Sequence, residues 1–314
     1  MTKRAFVFPG QGSQAVGMGL ALSQAFATAR EVFEEVDDAL DQSLSRLMFE
    51  GPDEDLRLTE NAQPALMAVS LAVVRVIERE GGKMLASACS FVAGHSLGEY
   101  SALSAAGTFS LADAARLLRT RGRAMQQAVP VGEGAMAALL GLDLEAARAV
   151  AEDAAEGDVC QTANDNAPGQ VVVSGTRAAV ERAVALAAER GAKRSIILPV
   201  SAPFHCALME PAARVMAEVL ATVKMTRPSV PLVGNVVASA LIEVDAIRAR
   251  LVDQVTGMVR WRESMLYLKD QGVEEIVELG AGKVLSGLAR RIDPDLKGSA
   301  VNGPADIEAL FARL

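Results

Sequence analysis

Two stretches hold the residues that could do chemistry. Residues 94–98 read GHSLG, a Gly-x-Ser-x-Gly preceded by SFVA and followed by EYSALSAAG, and residues 10–15 read GQGSQA one proline behind the apolar run Ala5-Phe6-Val7-Phe8. A serine between two glycines at a strand-to-helix turn fits a nucleophile elbow. The sharp bend exposes the hydroxyl, and glycine removes side chains that would collide there. Such a serine sits at a helix N-terminus, where free N–H groups and the dipole favour negative charge. A hydroxyl is a weak nucleophile at neutral pH and needs a base. The only histidines are His95 and His205. Neighbouring side chains on an elbow diverge, which leaves His205, in SAPFHCALMEP, as the partner of Ser96.

GQGSQA also fits G-x-G-x-x-A, one form of the dinucleotide-binding fingerprint. That fold needs a second strand soon after the first helix, with an acidic residue ~20 positions beyond the glycines. Glu34, Glu35, Asp37 and Asp38 stand at about that distance but inside a helical pattern, and no second strand precedes residue 51. The loop reads instead as a source of unobstructed backbone N–H groups, half of an oxyanion hole. The acid of a hydrolase triad has no obvious position. Asp153, Asp158 and Asp165 lie between Ser96 and His205, and no HGGG-type segment is present. A lipase or esterase therefore stays open on these residues alone.

Composition bounds the class. The chain has 314 residues, about half of them hydrophobic but only 4% aromatic, so alanine, valine and leucine carry the core of a helix-rich α/β protein. No apolar run approaches the ~18 residues of a spanning helix. No h-region follows Lys3 and Arg4, so neither a membrane nor a secretory destination is expected. Cys89, Cys160 and Cys206 are odd in number and widely spaced, and read as reduced thiols of a cytosolic protein. With two histidines in all, no metal centre is expected. The net charge of −8 speaks against nucleic acid as a partner.

The elements that must position these residues follow from periodicity. Residues 3–8 form a buried strand. Leu22, Phe26, Ala29, Phe33, Val36, Leu40, Leu44 and Leu47 step by three and four, predicting a helix over about 20–47 that Gly51-Pro52 ends. Pro64 opens a second helix, apolar nearly all round and hence buried, stopped by Gly81-Gly82. A strand near 89–94 leads to a helix over 97–106. Another over 111–127 carries Arg116, Arg119, Arg121 and Arg123, and by composition alone Arg121 reads there as a solvated residue. Between 134 and 200 the order is β-α-β-β-α-β, with strands GAMAALLGLD, VCQTAN, GQVVVSG and KRSIILPV, which is the ferredoxin-like pattern. The expected fold is α/β: a large α/β-hydrolase-like body, residues 1–130 and 200–314, with an inserted ferredoxin-like small subdomain, residues 131–199.

These residues converge on a family. FVFPGQGSQ, GHSLGEYSAL, RTRGRAMQQA, NAPGQVVVSG, PFHCALMEPAA, GNVVA, LVDQVTGMVRW and ELGAGKVLSGL occur in order along essentially the whole chain. Together they resemble the malonyl-CoA:acyl carrier protein transacylases of bacterial fatty-acid synthesis. The resemblance implies that Ser96 is acylated, that His205 is its base, and that the backbone N–H groups of Gln11 and Leu97 form the oxyanion hole. It implies that Arg121 grips the malonyl carboxylate and that the main-chain carbonyl of Gln254 orients the histidine in place of a triad acid. Gln63 and Asn164 match polar pocket positions. Phe204 before the histidine resembles members that take malonyl. No metal or bound cofactor is implied. The implied partners are malonyl-CoA and an acidic acyl carrier protein, for which Lys193, Arg194, Lys283, Arg290 and Arg291 are candidate docking residues on a chain that is itself acidic. Two alternatives share the elbow chemistry: a serine thioesterase or hydrolase whose acceptor is water, and a polyketide-pathway acyltransferase. A non-catalytic acyl-binding protein would have no need of serine, histidine and arginine together.

Overall fold

A computed structural model describes residues 2–314. The chain runs β1 (Arg4–Phe8), α1 (Leu20–Ala25), α2 (Ala27–Leu40), α3 (Leu44–Glu50), α4 (Asp53–Arg57), α5 (Thr59–Arg79), α6 (Leu85–Ala88), β2 (Phe91–Gly94), α7 (Gly98–Ala105) and α8 (Leu111–Ala128). It continues through β3 (Gly134–Leu140), α9 (Leu144–Ala155), β4 (Cys160–Ala167), β5 (Gln170–Thr176), α10 (Arg177–Glu189) and β6 (Arg194–Ile197). The return consists of α11 (Glu210–Thr222), β7 (Leu232–Val233), β8 (Ala240–Leu241), α12 (Val244–Thr256), α13 (Trp261–Asp270), β9 (Glu275–Leu279), α14 (Val284–Ile292), β10 (Lys297–Val301) and α15 (Pro304–Phe311).

The larger sheet has the order β10-β9-β1-β2-β7-β8, parallel except for the β7–β8 pair. Its central strand explains the unbroken apolar run: Phe6 and Phe8 face one core, Ala5 and Val7 the other, so both faces are covered. β1 and β2 are neighbours in register, Phe8 opposite Gly94. The two glycine loops therefore leave the carboxyl ends of adjacent parallel strands, where open α/β sheets place their ligand crevices. The second sheet is antiparallel with the order β4-β5-β3-β6. Ala135, Ala137 and Leu139 of β3 face α9 and α10, while Met136 and Ala138 join the main core. This sheet thus shares a hydrophobic core with the body.

The helical stretch at 20–47 is three helices. Phe26 is extended, with φ −129°, and Asp41 is left-handed, with φ 49°. A one-residue kink keeps the three-and-four spacing of buried positions, so hydrophobic periodicity does not register it. The next helix starts at Thr59 with Pro64 inside it, one turn earlier than proline suggested. Proline forfeits a single ladder bond there, and a helix buried almost throughout tolerates that loss. The strand near 89–94 begins only at Phe91, behind the short α6. The last strand of the second sheet stops at Ile197. Leu198 makes one more backbone bond, to the Met136 carbonyl at 2.9 Å, and with Pro199 and Val200 lines a cleft.

No described helix is long and apolar enough to cross a membrane. Among the described residues no His, Cys, Asp and Glu side chains gather as a metal site, and the three cysteines are free and buried.

Candidate active site

Ser96 sits at the turn from β2 into α7 with φ +53°, a left-handed conformation that costs a non-glycine residue on the order of 1–3 kcal/mol. The glycines flanking it are a steric necessity. A Cβ on Gly94 would lie 1.9 Å from the Gly98 backbone, and one on Gly98 would lie 2.2 Å from the Phe8 carbonyl oxygen. Asn235, in the loop after β7, holds the strained turn from below. Its Oδ1 accepts the Ser96 N–H at 2.8 Å, and its Nδ2 donates to the Gly94 carbonyl at 2.6 Å.

The Ser96 hydroxyl lies 2.7 Å from Nε2 of His205. His205 is also left-handed, φ +59°, and is 3% exposed. Its Nδ1 faces two carbonyl oxygens, Gln254 at 2.9 Å and Gly257 at 3.1 Å. Carbonyls only accept, so Nδ1 carries the proton and Nε2 offers a lone pair to the serine. Gln254 lies in the last turn of α12, where carbonyls have no intrahelical partner and the helix dipole is negative. A helix end thus stands where a triad acid would. The three aspartates between Ser96 and His205 are engaged elsewhere: Asp153 with Arg190, Asp158 with Arg182 at 2.9 Å, and Asp165 with Arg262 at 2.7 Å. Burial, with Arg121 nearby, pushes the His205 imidazole down to about 3, so it rests neutral.

Arg121 is 1% exposed, which corrects the solvated reading from composition. α8 packs closely on α5 and carries it beneath the serine. Nη2 donates to Ser96 Oγ at 3.1 Å and to Gln254 Oε1 at 2.8 Å, and Nη1 donates to Gln63 Oε1 at 2.8 Å. Gln63 donates in turn to Thr59 Oγ1, which donates to Gln11 Oε1 at 2.9 Å. A hydrogen-bonded chain therefore links the guanidinium to the glycine loop after β1. Among the described residues, the N–H groups of Gln11 and Leu97 have no acceptor. They follow adjacent strands and flank the serine, the arrangement an oxyanion requires.

The cleft above has a volume of about 290 Å³ and is lined by Gln11, Ser96, Asn164, Phe204 and His205 among others. Gln63, Arg121 and Gln254 are buried behind Ser96, Arg121 and Gln254 bonding to it directly and Gln63 through Arg121. Backbone bonds from Asp165 to Val259 and from Val259 to Ala163 fasten β4 to the body and set Asn164 at the rim. His95 turns away from the serine, with Nε2 2.9 Å from Asn166 Oδ1. Lys193, Arg194, Lys283, Arg290 and Arg291 are all exposed. Lys193 packs beside Gly141, which meets the β4–β5 turn; Arg291 reaches Gln170 across that turn, and Gly282, before Lys283, lies against Ser13.

Glu99, Asn235, Gly257, Thr59 and Arg57 were not identified from the sequence. Glu99 had a visible sign, a carboxylate in the first turn of an otherwise uncharged helix. Arg57 lines the cleft from α4, paired with Asp53, and nothing in its local sequence marks it.

Comparison with known proteins places this geometry. The acyl transferase domain family matches residues 5–245. A malonyl CoA-acyl carrier protein transacylase of Escherichia coli strain K12 is 48% identical over 309 residues, covering 98% of this chain and 99% of its own length. The crystal structure of an acyl-carrier-protein S-malonyltransferase from Bartonella henselae superposes with a TM-score of 0.96 at 56% identity, covering 99% of this chain and 98% of that one. A malonyl-transacylase solved with a type II PKS acyl-carrier protein matches with a TM-score of 0.96 at 43% identity over the whole of both chains.

Asn235→Ala should leave the Ser96 N–H and the Gly94 carbonyl unsatisfied. The expected loss of unfolding free energy is about 2–6 kcal/mol, from two buried groups at roughly 1–3 each. Urea denaturation checks it; a loss under about 1 kcal/mol would mean that the elbow holds its own shape.

Proposed function

The chain belongs to the acyl transferase domain family, among the malonyl CoA-acyl carrier protein transacylases, and from that membership we propose the steps its site performs. It transfers a malonyl group from malonyl-CoA to the phosphopantetheine thiol of acyl carrier protein, through a malonyl ester on Ser96. The observation that carries the reading is a buried guanidinium 3.1 Å from the nucleophilic oxygen. A cation in that place suits an acyl group that itself ends in a carboxylate.

His205 Nε2 takes the Ser96 proton as Oγ attacks the thioester carbonyl. The N–H groups of Gln11 and Leu97 receive the oxyanion, each donor being worth ~3 kcal/mol. Collapse breaks the carbon–sulfur bond, and His205 returns its proton to the departing CoA thiol. The carrier-protein thiol then enters and the same steps run in reverse, giving ping-pong kinetics. Nη1 of Arg121 has one acceptor for its two hydrogens. An arriving carboxylate takes the unused one, together with the Nη2 hydrogen now directed at Ser96, and so forms a two-pronged pair that lysine could not make. It also offsets the charge of Arg121, which by itself opposes protonation of His205. An acetyl group does neither. Asn164 and Phe204 at the rim, and Gln63 below, shape the pocket; the Gln254 carbonyl orients His205.

In this reading residues 1–130 and 200–314 form the hydrolase-like catalytic body and residues 131–199 the ferredoxin-like small subdomain. The strand order β4-β5-β3-β6 with α9 and α10 on one face supports that description. The acidic carrier protein docks at the basic side chains around the β4–β5 turn and α14. The free, buried thiols fit a cytosolic setting.

Brief incubation with malonyl-CoA should add one malonyl mass to the peptide containing Ser96; a wild type without adduct, or Ser96→Ala with it, overturns the mechanism. Arg121→Ala should reduce malonyl transfer by roughly 10³–10⁴ while sparing acetyl transfer, as an unpaired buried group discriminates by about that much. Equal losses would remove Arg121 from carboxylate recognition. Reversing the charges of Lys193, Arg194, Arg290 and Arg291 together should raise the KM for carrier protein and leave acylation by malonyl-CoA unchanged. An unaltered KM would rule out this docking face.

A further inference from the structure

Glu99 stands in the first turn of α7, 1% exposed, and no step of the reaction uses it. Both of its oxygens face donors. Oε1 accepts the Asn235 N–H at 3.2 Å, and Oε2 accepts from Nε2 of Gln254. That same Nε2 donates to the Ser96 carbonyl at 2.9 Å, and the other end of the amide, Oε1, accepts from Arg121 Nη2 at 2.8 Å. An amide has one accepting and one donating end. A carboxylate at Glu99 requires the donating end to point toward α7, which forces the accepting end toward the guanidinium. Were the amide reversed, its N–H₂ would confront the N–H groups of Arg121.

We propose that Glu99 is a positioning residue for recognition of the acyl carboxylate: it sets the direction of the Gln254 amide, and through that amide it aims Arg121. The inference rests on malonyl transfer being the reaction. Glu99 touches neither the substrate nor the reacting atoms. It acts on the one cation that separates malonyl from acetyl, so its influence falls on the choice of acyl group more than on transfer as such.

The surroundings bear this out. The charged or titratable groups around the carboxyl are Arg121 from α8 and Tyr100 beside it on α7, with His205 and His95 further round Ser96. α12 and the loop after β7 present neutral groups, the Gln254 side chain and the Asn235 N–H. Burial raises Glu99 to about 7, held down in part by Gln254, Asn235 and Arg121. Burial pushes Tyr100 further up and lowers both histidines. Near neutrality, then, Glu99 is the member of this group that changes charge. Above about pH 7 it is a carboxylate and the amide is directed. Below that it is protonated and its O–H becomes a donor, so that only the Ser96 carbonyl and Arg121 still direct the amide and the charge-assisted part of the constraint on Gln254 is lost.

The test is the ratio of kcat/KM for malonyl-CoA to that for acetyl-CoA, measured on the intact enzyme from about pH 8.5 to 6. Both acyl groups use Ser96 and the oxyanion donors, so changes in those cancel in the ratio, and any contribution of His205 is read out by Glu99→Gln, which keeps the same histidine. In wild type the ratio should fall as pH drops through about 7. In Glu99→Gln it should be reduced roughly 10- to 100-fold at pH 8, the worth of one hydrogen bond to a charged group, and be flat with pH. A variant that retains the wild-type ratio and pH profile overturns the inference. Should Glu99→Gln not fold, a wild-type ratio independent of pH across the window overturns it equally. If wild type does not favour malonyl at all, the functional reading fails first, and the two failures are thereby distinguished.

Discussion

A desolvated guanidinium beside a serine is the constraint around which the site is built. Removing Arg121 from water is expensive unless its donors are matched and its charge is answered. Gln63 and Gln254 match one donor each while Nε is left without a partner, the ring of Tyr100 lies 5.7 Å from the guanidinium carbon, and Glu99 answers the charge across an amide. These partners come from α5, α7 and α12, so the cation couples three helices that are distant in sequence. It also leaves one Nη1 hydrogen unassigned and directs another at Ser96. The arrangement is satisfied enough to fold, and incomplete in the direction from which a carboxylate would come.

The second constraint is backbone strain held in place by amides and carbonyls. Ser96 and His205 both occupy left-handed conformations, and each is tethered by an element remote in sequence. Asn235 clips the elbow between Gly94 and Ser96, and the end of α12 accepts a hydrogen bond from Nδ1 of His205. Replacing a triad carboxylate by helix carbonyls has a chemical consequence. A buried carboxylate would draw the imidazole strongly toward its charged form, whereas the two carbonyls draw it only weakly, and burial with a nearby arginine keeps it neutral. On the proposed mechanism, the substrate's own carboxylate becomes part of what permits the proton transfer.

Legibility in the sequence followed the range of the interaction. The elbow is local: Gly94, Ser96 and Gly98 are dictated by contacts within five residues and with the strand next door, so GHSLG is visible as a pattern. The buried α5 showed itself by apolar residues on every side. The kinks at Phe26 and Asp41 did not, because they preserve the spacing of buried positions. Arg121 was hidden for a different reason. On α8 it keeps company with Arg116, Arg119 and Arg123, and only the close packing of α8 on α5 distinguishes the one that is buried. Asn235 and Gly257 act through a side-chain amide and a main-chain carbonyl, which no residue pattern advertises.

By itself the chain determined what is periodic or sterically compelled: strands and helices in their order, the serine at a glycine-lined turn, and one histidine left to serve it. The tertiary structure decided which groups meet. The register of β1 against β2 brings the N–H groups of Gln11 and Leu97 to one place, and the landing of α12 supplies the carbonyl that a triad acid would have replaced. The physical reason is that hydrogen bonds and desolvation depend on distances of a few ångströms between residues 25 to 158 positions apart. Such separations are closed by packing, and packing is the sum of many weak contacts that no single stretch of sequence contains.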